Sequence, residues 1–287
     1  MKILVAGATG AIGRLLVPQL HQAGHDVTAI TRRSEHLPLI EQMGARAIIA
    51  NALDREAMIN VLAEVRPQVV YHQLTALADG DFSSNMRLRV HGTRNLVDAS
   101  KAAGVEHLIA QSIAFAYEPG DHPATEDTPM DTHSEGTRKT TVDGIMSLER
   151  AVAEIPSHVV LRYGTLYGPG TWYDQEGFLA QQMRDQSFVA TDGLTSFVHV
   201  QDAAQAALLA LNWPSGPVNI VDDEPARGHH WIPVYAGLLR LPVPTIANAG
   251  AAWERGASNT RARTQYGWTP LFPSWRTGFT QSLSSEA

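Results

Sequence analysis

The sequence contains no cysteine among its 287 residues. This absence excludes disulfide bonds, thiolate metal sites and cysteine nucleophiles. The sequence also has no apolar run of about 18 residues, the length that a membrane-spanning helix needs. An apolar segment follows directly after Met1, which leaves no room for a signal peptide. We therefore expect a soluble, cytoplasmic protein.

Positive charge is scarce as well. The 22 Lys and Arg residues are outnumbered by 29 Asp and Glu residues, which gives a formal net charge of −7, whereas a nucleic-acid-binding protein needs a basic face. Metal-ligand patterns are also missing, because His229 and His230 are adjacent and no His-Glu-x-x-His motif occurs. We expect no nucleic-acid, membrane or metal partner. The expected partners are a small-molecule substrate and a second copy of the chain in a homodimer.

Glycine, by contrast, is concentrated near the N-terminus. Three glycines at three-residue spacing lie between the apolar run 3–6 and the segment 12–20, whose apolar residues recur at helical spacing. In the order strand, glycine turn, helix, this spacing indicates dinucleotide binding, with the diphosphate on the free N–H groups at the start of the helix. The cofactor residues predicted in this turn are Gly7, Thr9, Gly10, Ala11, Ile12 and Gly13.

The end of the second predicted strand, 27–31, indicates which dinucleotide binds. An acidic residue at this point binds the ribose 2′-hydroxyl of NAD, whereas an arginine accommodates the 2′-phosphate of NADP. This sequence has Arg32 and Arg33 there, and no carboxylate follows until Glu35. We therefore predict NADP(H) in preference to NAD(H), with Arg32 as the main phosphate contact and Arg33 as the second candidate.

Further along the chain, apolar segments of strand length alternate with segments of helical periodicity, and Asp54 is a predicted helix N-cap. The further predicted strands are 47–49, 69–72 and 107–110, and the predicted helices include 37–43, 56–64, 84–103 and 137–154. This alternation indicates an α/β fold with a Rossmann-type, doubly wound parallel sheet. We predict an NAD(P)-binding domain over 1–170, with returns to the sheet around 195–225, and a smaller C-terminal substrate lobe over 171–287.

A series of short motifs completes the pattern. They are Gly7–Gly13, Asn51–Asp54, Val70–His72, His91–Leu96, Leu161–Gly164, Leu166–Gly170, Phe197–Ala204, Ala257–Asn259 and Gly267–Pro270. In this order the motifs resemble the short-chain dehydrogenase/reductase superfamily, in its extended or atypical branch of NAD-dependent epimerase/dehydratase-like proteins. The resemblance covers nearly the whole chain, and it implies an enzyme with a nicotinamide dinucleotide cofactor.

The strand ends and the resemblance together give the remaining site residues, because open α/β sheets bind ligands at the carboxyl ends of their strands. The further cofactor residues predicted are Asn51, Ala52, Gln73, Leu74, Gln111, Arg162, Tyr163 and Gly164. The residues predicted at the substrate are Thr75, Tyr167, Trp172, Tyr173 and His199. For His199, a packing role in the protein interior is an equal alternative to substrate binding.

The sequence departs from the family pattern at the catalytic residues. In the family, a Tyr-x-x-x-Lys pair follows the fifth strand; the tyrosine is a general acid/base, and the lysine lowers the tyrosine pKa and holds the ribose. The predicted helix 137–154 contains no tyrosine. Alignment on Glu149 puts Thr141 and Ile145 at the positions of the pair, and alignment on Lys139 puts Glu135 at the tyrosine position.

Other groups are therefore candidates for the chemistry. Arg89 replaces the asparagine that often precedes the family's Gly-Thr motif. Ser112 either bonds a substrate carbonyl or caps a loop, and Tyr117 is either a proton donor or a wall of the pocket. His133, near Asp131, either forms an acid/base pair or belongs to a solvated loop.

These observations predict an NADP(H)-dependent oxidoreductase that acts on a small carbonyl or sugar-like substrate without the usual tyrosine–lysine pair. A hydride leaves the cofactor without help from a protein base, so loss of the tyrosine slows proton transfer without abolishing reduction. Two alternatives stay open. One is a non-redox isomerase, cyclase, epimerase or dehydratase on the same fold, and the other is a catalytically silent NADP-binding sensor.

Overall fold

The structure is a computed structural model that describes residues 1–77 and 80–283. The chain divides into two compact units. The first contains residues 1–112, 135–161 and 204–217, and the second contains residues 113–134, 162–203 and 218–287. The chain passes from one unit to the other several times.

The central sheet confirms the predicted Rossmann-type architecture. The strands are β1 (Lys2–Ala6), β2 (Asp26–Thr31), β3 (Arg46–Ile49), β4 (Val69–His72), β5 (His107–Ile113), β6 (Ser157–Tyr163), β7 (Thr165–Tyr167), β8 (Ala190–Thr191), β9 (Leu194–Thr195), β10 (Phe197–His199), β11 (Gly216–Ile220), β12 (Ala226–Arg227) and β13 (Ile246–Ala247). Seven of them form one sheet in the order β11-β6-β5-β4-β1-β2-β3. β1 pairs in parallel with β2 on one side and with β4 on the other, so the strand order reverses at β1. Such a reversal leaves a ligand crevice at the carboxyl ends of the strands.

The helices follow the predicted alternation. They are α1 (Gly13–Gln22), α2 (Leu37–Gln42), α3 (Arg55–Val65), α4 (Phe82–Arg87), α5 (Thr93–Ala102), α6 (Gly136–Val152), α7 (Phe178–Arg184), α8 (Val200–Leu209), α9 (Gly228–Leu238), α10 (Thr260–Tyr266) and α11 (Trp275–Leu283). The predicted N-cap is confirmed, because the Asp54 carboxylate accepts a hydrogen bond from the Ala57 N–H at 3.0 Å. Among the helices of residues 1–77 and 80–283, none is long and apolar enough to cross a membrane.

The core of the first unit explains why its strands are continuous apolar runs. Residues 3–6 of β1 and Val70 of β4 have no exposed surface, since a parallel sheet is covered by helices on both faces. Leu62 of α3 and Leu96 of α5 belong to the same buried cluster. Side chains on both faces of these strands must therefore be apolar.

The expected continuous helix 84–103 is wrong in one respect. A π-helical turn, Leu88–Gly92, separates α4 from α5. Apolar residues keep their helical spacing across this segment, so periodicity alone does not reveal the wider turn. Such turns occur frequently at functional sites. β5 is also longer than expected and reaches Ile113, so Ser112 lies within the strand.

An aromatic cluster forms the core of the second unit. Tyr167 of β7 packs against Phe197 of β10 and Phe279 of α11, with ring centroids 6.1 and 4.9 Å apart. Tyr173 stacks on Phe279 at 6.1 Å, and Trp231 of α9 lies 5.4 Å from Phe197. Aromatic pairs of this kind contribute about 0.5–1.5 kcal/mol each beyond their burial. The aromatic residues around 167–173 therefore stabilise this unit.

Asp222 ties α11 to the rest of the second unit. Its carboxylate accepts hydrogen bonds from the N–H groups of Glu224 and Trp275, at 3.3 and 2.9 Å, and Trp275 is the first residue of α11. Burial raises the pKa of the Asp222 carboxyl to about 8, although the two N–H donors oppose this shift. The charged carboxylate is therefore the less favourable form in the folded protein.

Replacement of Asp222 by Asn should flatten the dependence of stability on pH. The Asp222 carboxyl keeps its proton up to pH 8 in the folded protein, compared with an ordinary pKa of 3.8, so the folded state binds one more proton between these values. The free energy of unfolding must then fall as the pH rises from about 4 to about 8. Urea denaturation across this range measures the slope, which should be shallower for Asp222→Asn. Parallel profiles for the two proteins would contradict this role of Asp222.

Candidate active site

The turn after β1 brings backbone segments into close contact. Gly7 has a φ of +102°, which favours glycine, and a Cβ at this residue would overlap the Gln73 carbonyl group. A Cβ on Gly13 would overlap the Gly7 carbonyl oxygen, whereas a Cβ on Gly10 would meet only that oxygen, at an ordinary 3.5 Å. The fold therefore requires glycine at positions 7 and 13, and Gly10 leaves open space beside the turn.

The start of α1 provides an anion-binding site. The helix has no side-chain cap and no acidic residue in its first turn. Within residues 1–77 and 80–283, the backbone N–H groups of Ala11, Ile12 and Gly13 donate to no acceptor. Free N–H groups at the positive end of a helix dipole attract phosphate. The turn therefore fits the diphosphate of a dinucleotide.

Gln73, which directly follows β4, is buried with an unsatisfied side chain. It is 4% exposed, and in the described part of the chain neither Oε1 nor Nε2 has a hydrogen-bond partner. A buried amide without partners costs about 1–3 kcal/mol. The hydroxyl groups of a dinucleotide ribose both donate and accept hydrogen bonds, so they would satisfy this amide.

The neighbouring strand ends hold other predicted cofactor residues of the first unit. Gln111 of β5 donates from Nε2 to the Leu74 carbonyl oxygen at 3.0 Å, which fixes the segment after β4. Asn51 follows β3 and bonds the N–H two residues further on through Oδ1, at 3.1 Å. Ala52 is buried, and Thr75 is exposed. These residues lie at the carboxyl ends of their strands, where the sheet binds ligands.

Arg32 and Arg33 follow β2, and both side chains are exposed. Neither guanidinium forms an ion pair with any carboxylate of residues 1–77 and 80–283. The Arg33 N–H donates to the Thr31 hydroxyl at 3.2 Å, which shapes the turn at the strand end. Two unpaired arginines at this position provide the donors that a phosphate needs.

A cavity of about 160 Å³ lies in the second unit, beside the segments that follow β5 and β6. Much of its wall is aromatic. The lining residues are Ala114, Phe115, Tyr117, Gly164, Thr165, Tyr173, Leu194, Thr195, Ser196, Trp253, Glu254, Arg255 and Gly256. The Arg255 guanidinium donates to the carbonyl oxygens of His122 and Glu118, at 2.6 and 3.1 Å. The lining therefore combines a cationic residue, Arg255, with an acidic one, Glu254.

The Tyr117 hydroxyl belongs to a buried network in the second unit. It donates to Asn219 Oδ1 at 2.5 Å and accepts from Arg162 Nη1 at 3.0 Å. Arg162 is 6% exposed and also donates to the Glu126 carbonyl oxygen at 3.4 Å. The Glu126 carboxylate in turn accepts from the Asn219 N–H at 2.8 Å. The phenolic proton of Tyr117 is therefore already donated to Asn219.

Helix α6 carries no tyrosine. Ile145 is fully buried and Thr141 is partly buried. Because neither side chain ionises near neutral pH, the two positions given by the alignment on Glu149 provide no acid and no cation. Glu149 itself accepts a hydrogen bond from the Ser112 hydroxyl at 2.6 Å. Lys139 forms an exposed ion pair with the aspartate four residues further along α6. The helix therefore offers no tyrosine–lysine pair.

Several predicted site residues lie outside the cavity lining. His133 is exposed, and Tyr167 is fully buried in the aromatic cluster. Burial lowers the pKa of His199 to about 4, and its Nε2 contacts a serine hydroxyl of α11 at 3.1 Å. The Tyr163 hydroxyl donates to a backbone carbonyl at 3.3 Å, and Trp172 packs on the ring of Phe178 at 5.0 Å. In the ligand-free chain, these side chains pack or face solvent.

Sequence analysis does not identify Phe115, Trp253 or Arg255, although all three line the cavity. Phe115 stands two residues before Tyr117, and Trp253 and Arg255 stand four and two residues before the Ala257–Asn259 motif. Proximity to a family motif is the one signal in the sequence for these residues.

Comparison with known proteins identifies the family. The model of the NAD dependent epimerase/dehydratase family matches residues 3–221. The chain belongs to this family. A relative from a Streptomyces species, 3-diazoavenalumate denitrifying reductase, is 42% identical over 305 residues, and the match covers 97% of this chain and 99% of the relative. Ceramide reductase of Caulobacter vibrioides is 24% identical over 279 residues, which cover 92% of this chain and 81% of the relative.

Solved structures of enzymes in complex with NAD share the fold. The Bordetella bronchiseptica enzyme WbmG, in complex with NAD and UDP, has a TM-score of 0.80 and 21% identity, with 99% of this chain and 94% of that chain covered. A Thermus thermophilus UDP-glucose 4-epimerase in complex with NAD has a TM-score of 0.78 and 22% identity, with 99% and 98% covered. This family member is therefore an enzyme of the reductase/epimerase/dehydratase type, and its turn after β1 fits a nicotinamide dinucleotide.

Substitution of two glycines separates the binding role of the turn from its structural role. Gly10→Ala should leave the Tm unchanged, because the added methyl group makes only an ordinary contact, but it should weaken dinucleotide binding at least tenfold, or about 1.4 kcal/mol. Gly13→Ala is the matched control. It should destabilise the ligand-free protein by roughly 1–3 kcal/mol, because the methyl group overlaps the Gly7 carbonyl. Wild-type affinity in Gly10→Ala, measured by fluorescence titration, would show that the turn does not hold the diphosphate.

Proposed function

We propose that this chain is an NADPH-dependent reductase that removes dinitrogen from a small aromatic diazonium compound. The observation that carries the proposal is the lack of a tyrosine in α6. The substrate class comes from the relative that is 42% identical over nearly the full length of both chains, a denitrifying reductase named for a diazo substrate.

The net reaction is a replacement at carbon. A bound reduced nicotinamide supplies a hydride, which replaces the diazonium group on carbon while dinitrogen leaves with the electron pair of the broken C–N bond and the dinucleotide is oxidised. Charge balances, because the cationic diazonium group and the hydride anion give a neutral C–H bond and neutral dinitrogen. No oxygen atom gains negative charge, so no proton has to be delivered.

This balance supports a catalytic helix without a tyrosine. Carbonyl reduction develops negative charge on oxygen, and a general acid that protonates it is worth roughly 10²–10⁴ in rate. Release of dinitrogen makes no such demand. Thr141 and the buried Ile145 are then acceptable in α6, where a carbonyl reductase of this family needs its acid and its cation.

The cavity of the second unit suits an aromatic substrate that carries a carboxylate. Phe115, Tyr173 and Trp253 line it, and aromatic rings stack on a planar substrate or contact its edge. Arg255 belongs to the lining beside Glu254, and an arginine side chain suits a carboxylate. A volume of about 160 Å³ suits a single substituted ring.

Reduction of a small carbonyl substrate is the second candidate function. Tyr117 lines the cavity and carries a phenolic proton, which is what a carbonyl oxygen needs after hydride addition. Its hydroxyl donates to Asn219, however, so it would have to break a buried hydrogen bond in order to protonate a substrate.

The preference for NADPH rests on the two exposed arginines after β2. A 2′-phosphate carries charge that NAD lacks, and arginine binds it through several N–H donors at once. The N–H groups at the start of α1 would hold the diphosphate, and the Gln73 amide would bond a ribose hydroxyl.

Replacement of Arg32 by Ala tests this preference. The variant should weaken NADPH binding at least tenfold, or about 1.4 kcal/mol, and leave NADH binding unchanged, because only NADPH carries the 2′-phosphate. Arg150→Ala removes the same charge from an exposed position on α6 and should change neither affinity. Fluorescence titration with both nucleotides measures these values. Equal losses for NADPH and NADH in Arg32→Ala would exclude Arg32 as the 2′-phosphate contact.

The substrate class is tested with 4-carboxybenzenediazonium. The protein should convert it to benzoate with equimolar release of dinitrogen and oxidation of NADPH. With NADPH deuterated at C4, the deuterium should appear on the carbon that carried nitrogen. Tyr117→Phe should keep this activity, since no proton is delivered to an oxygen.

The matched substrate is 4-formylbenzoate, which has the same ring and carboxylate but a carbonyl group. The second candidate function would replace the proposed one under two conditions. The protein would turn over the aldehyde and not the diazonium compound, and Tyr117→Phe would lower the rate of aldehyde reduction by roughly 10²–10⁴. A check of the Tm of Tyr117→Phe separates loss of the proton donor from loss of folding.

A further inference from the structure

The π-helical turn Leu88–Gly92 holds an arginine that the site described above does not use. Arg89 is partly buried, and its Cδ lies 3.8 Å from the place that a Cβ on Gly144 of α6 would occupy. Its side chain therefore passes beside the residue that precedes Ile145. In the alignment on Glu149, Ile145 stands where the family has its lysine.

Arg89 has no partner for its charge. Across residues 1–77 and 80–283, no carboxylate or other acceptor bonds its guanidinium. Two other arginines with limited exposure form ion pairs: Arg94 lies 2.5 Å from Glu154, and Arg261 lies 2.8 Å from Asp127. A shielded charge without a partner is destabilising. Burial lowers the pKa of Arg89 to about 10, which still leaves it protonated at neutral pH.

Among the residues that the structure describes, no carboxylate pairs with Arg89, and its charge acts on a histidine. The charge of Arg89 acts on His72, the last residue of β4; burial and, to a smaller extent, this charge lower the pKa of His72 to about 4. His72 is therefore neutral, and its Nε2 lies 2.7 Å from the Thr93 hydroxyl. The next residue, Gln73, carries the unsatisfied buried amide. His72 is therefore close to two polar groups without partners in the described residues. The charge of Arg89 acts on it, and Gln73 follows it in the sequence.

We propose that Arg89 binds an anionic oxygen group of a bound ligand, and so supplies from the π-helical turn the cation that the family takes from a lysine of the catalytic helix. A planar guanidinium with five N–H donors suits phosphate or carboxylate oxygens. In the first unit, a phosphate of the dinucleotide carries this chemistry, and this assignment rests on dinucleotide binding alone.

The experiment compares ligand-free stability with ligand affinity in Arg89→Met, which removes the charge and keeps an unbranched side chain. The ligand-free variant should have a higher Tm than the wild type, because an unpaired, shielded cation is lost. Its affinity for NADP⁺, measured by calorimetric titration without turnover, should fall at least tenfold. Arg89→Lys keeps the charge and should retain the wild-type Tm and most of the affinity. Arg87→Met, at an exposed position of α4, should change neither quantity.

Two outcomes would overturn the proposal. A lower Tm in Arg89→Met would show a structural arginine, and unchanged affinity for NADP⁺ would show that Arg89 does not bind the dinucleotide. Because this titration involves no turnover, failure of the diazonium assay leaves its result unaffected.

Discussion

The site depends on one close approach, that of α1 to β1 at Gly13 and Gly7. Because no side chain separates the two backbones, the helix starts directly at the end of the strand, and its first N–H groups remain free for an anion. Gly7 also lies against the Gln73 carbonyl group, so the same turn joins the ends of β1 and β4. A single packing constraint thus positions both the anion site and the buried Gln73 amide.

Local sequence patterns were enough to predict the fold and the glycine turn after β1. The surroundings of the other candidate residues depend on segments that are distant in the sequence. Glycine spacing, the arginines after β2 and the Asp54 N-cap act within a few residues, and so they can be recognised in the sequence. The environments of Tyr167 and His199 depend on α11, which is more than 70 residues away in sequence, and periodicity carries no information about it. The π-helical turn was missed because apolar spacing continues across it. Arg89 lies in that turn and contacts α6 beside Gly144, a contact that no local pattern reveals.

The family uses one helix for two functions, a proton donor and a cation that holds the ligand. In this chain, α6 provides neither the proton donor nor the cation, so the two functions need not come from one helix. The proposed reaction removes the need for the donor, since dinitrogen leaves without a proton. Arg89 lies beside the part of α6 where the family's lysine would be. Under the two proposals, a change of leaving group would account for the loss of the tyrosine, and a cation from another element would take the place of the lysine.

The proposed bond between the Gln73 amide and a ribose hydroxyl would link the stability of the protein to its ligand. An enzyme that carries an uncompensated buried group when empty is less stable than the same enzyme when occupied, by mass action on the folded state. Proteases act on transiently opened chains, whose population follows this stability. We therefore expect empty molecules to be degraded before occupied ones, so that the amount of enzyme in a cell follows the local supply of dinucleotide.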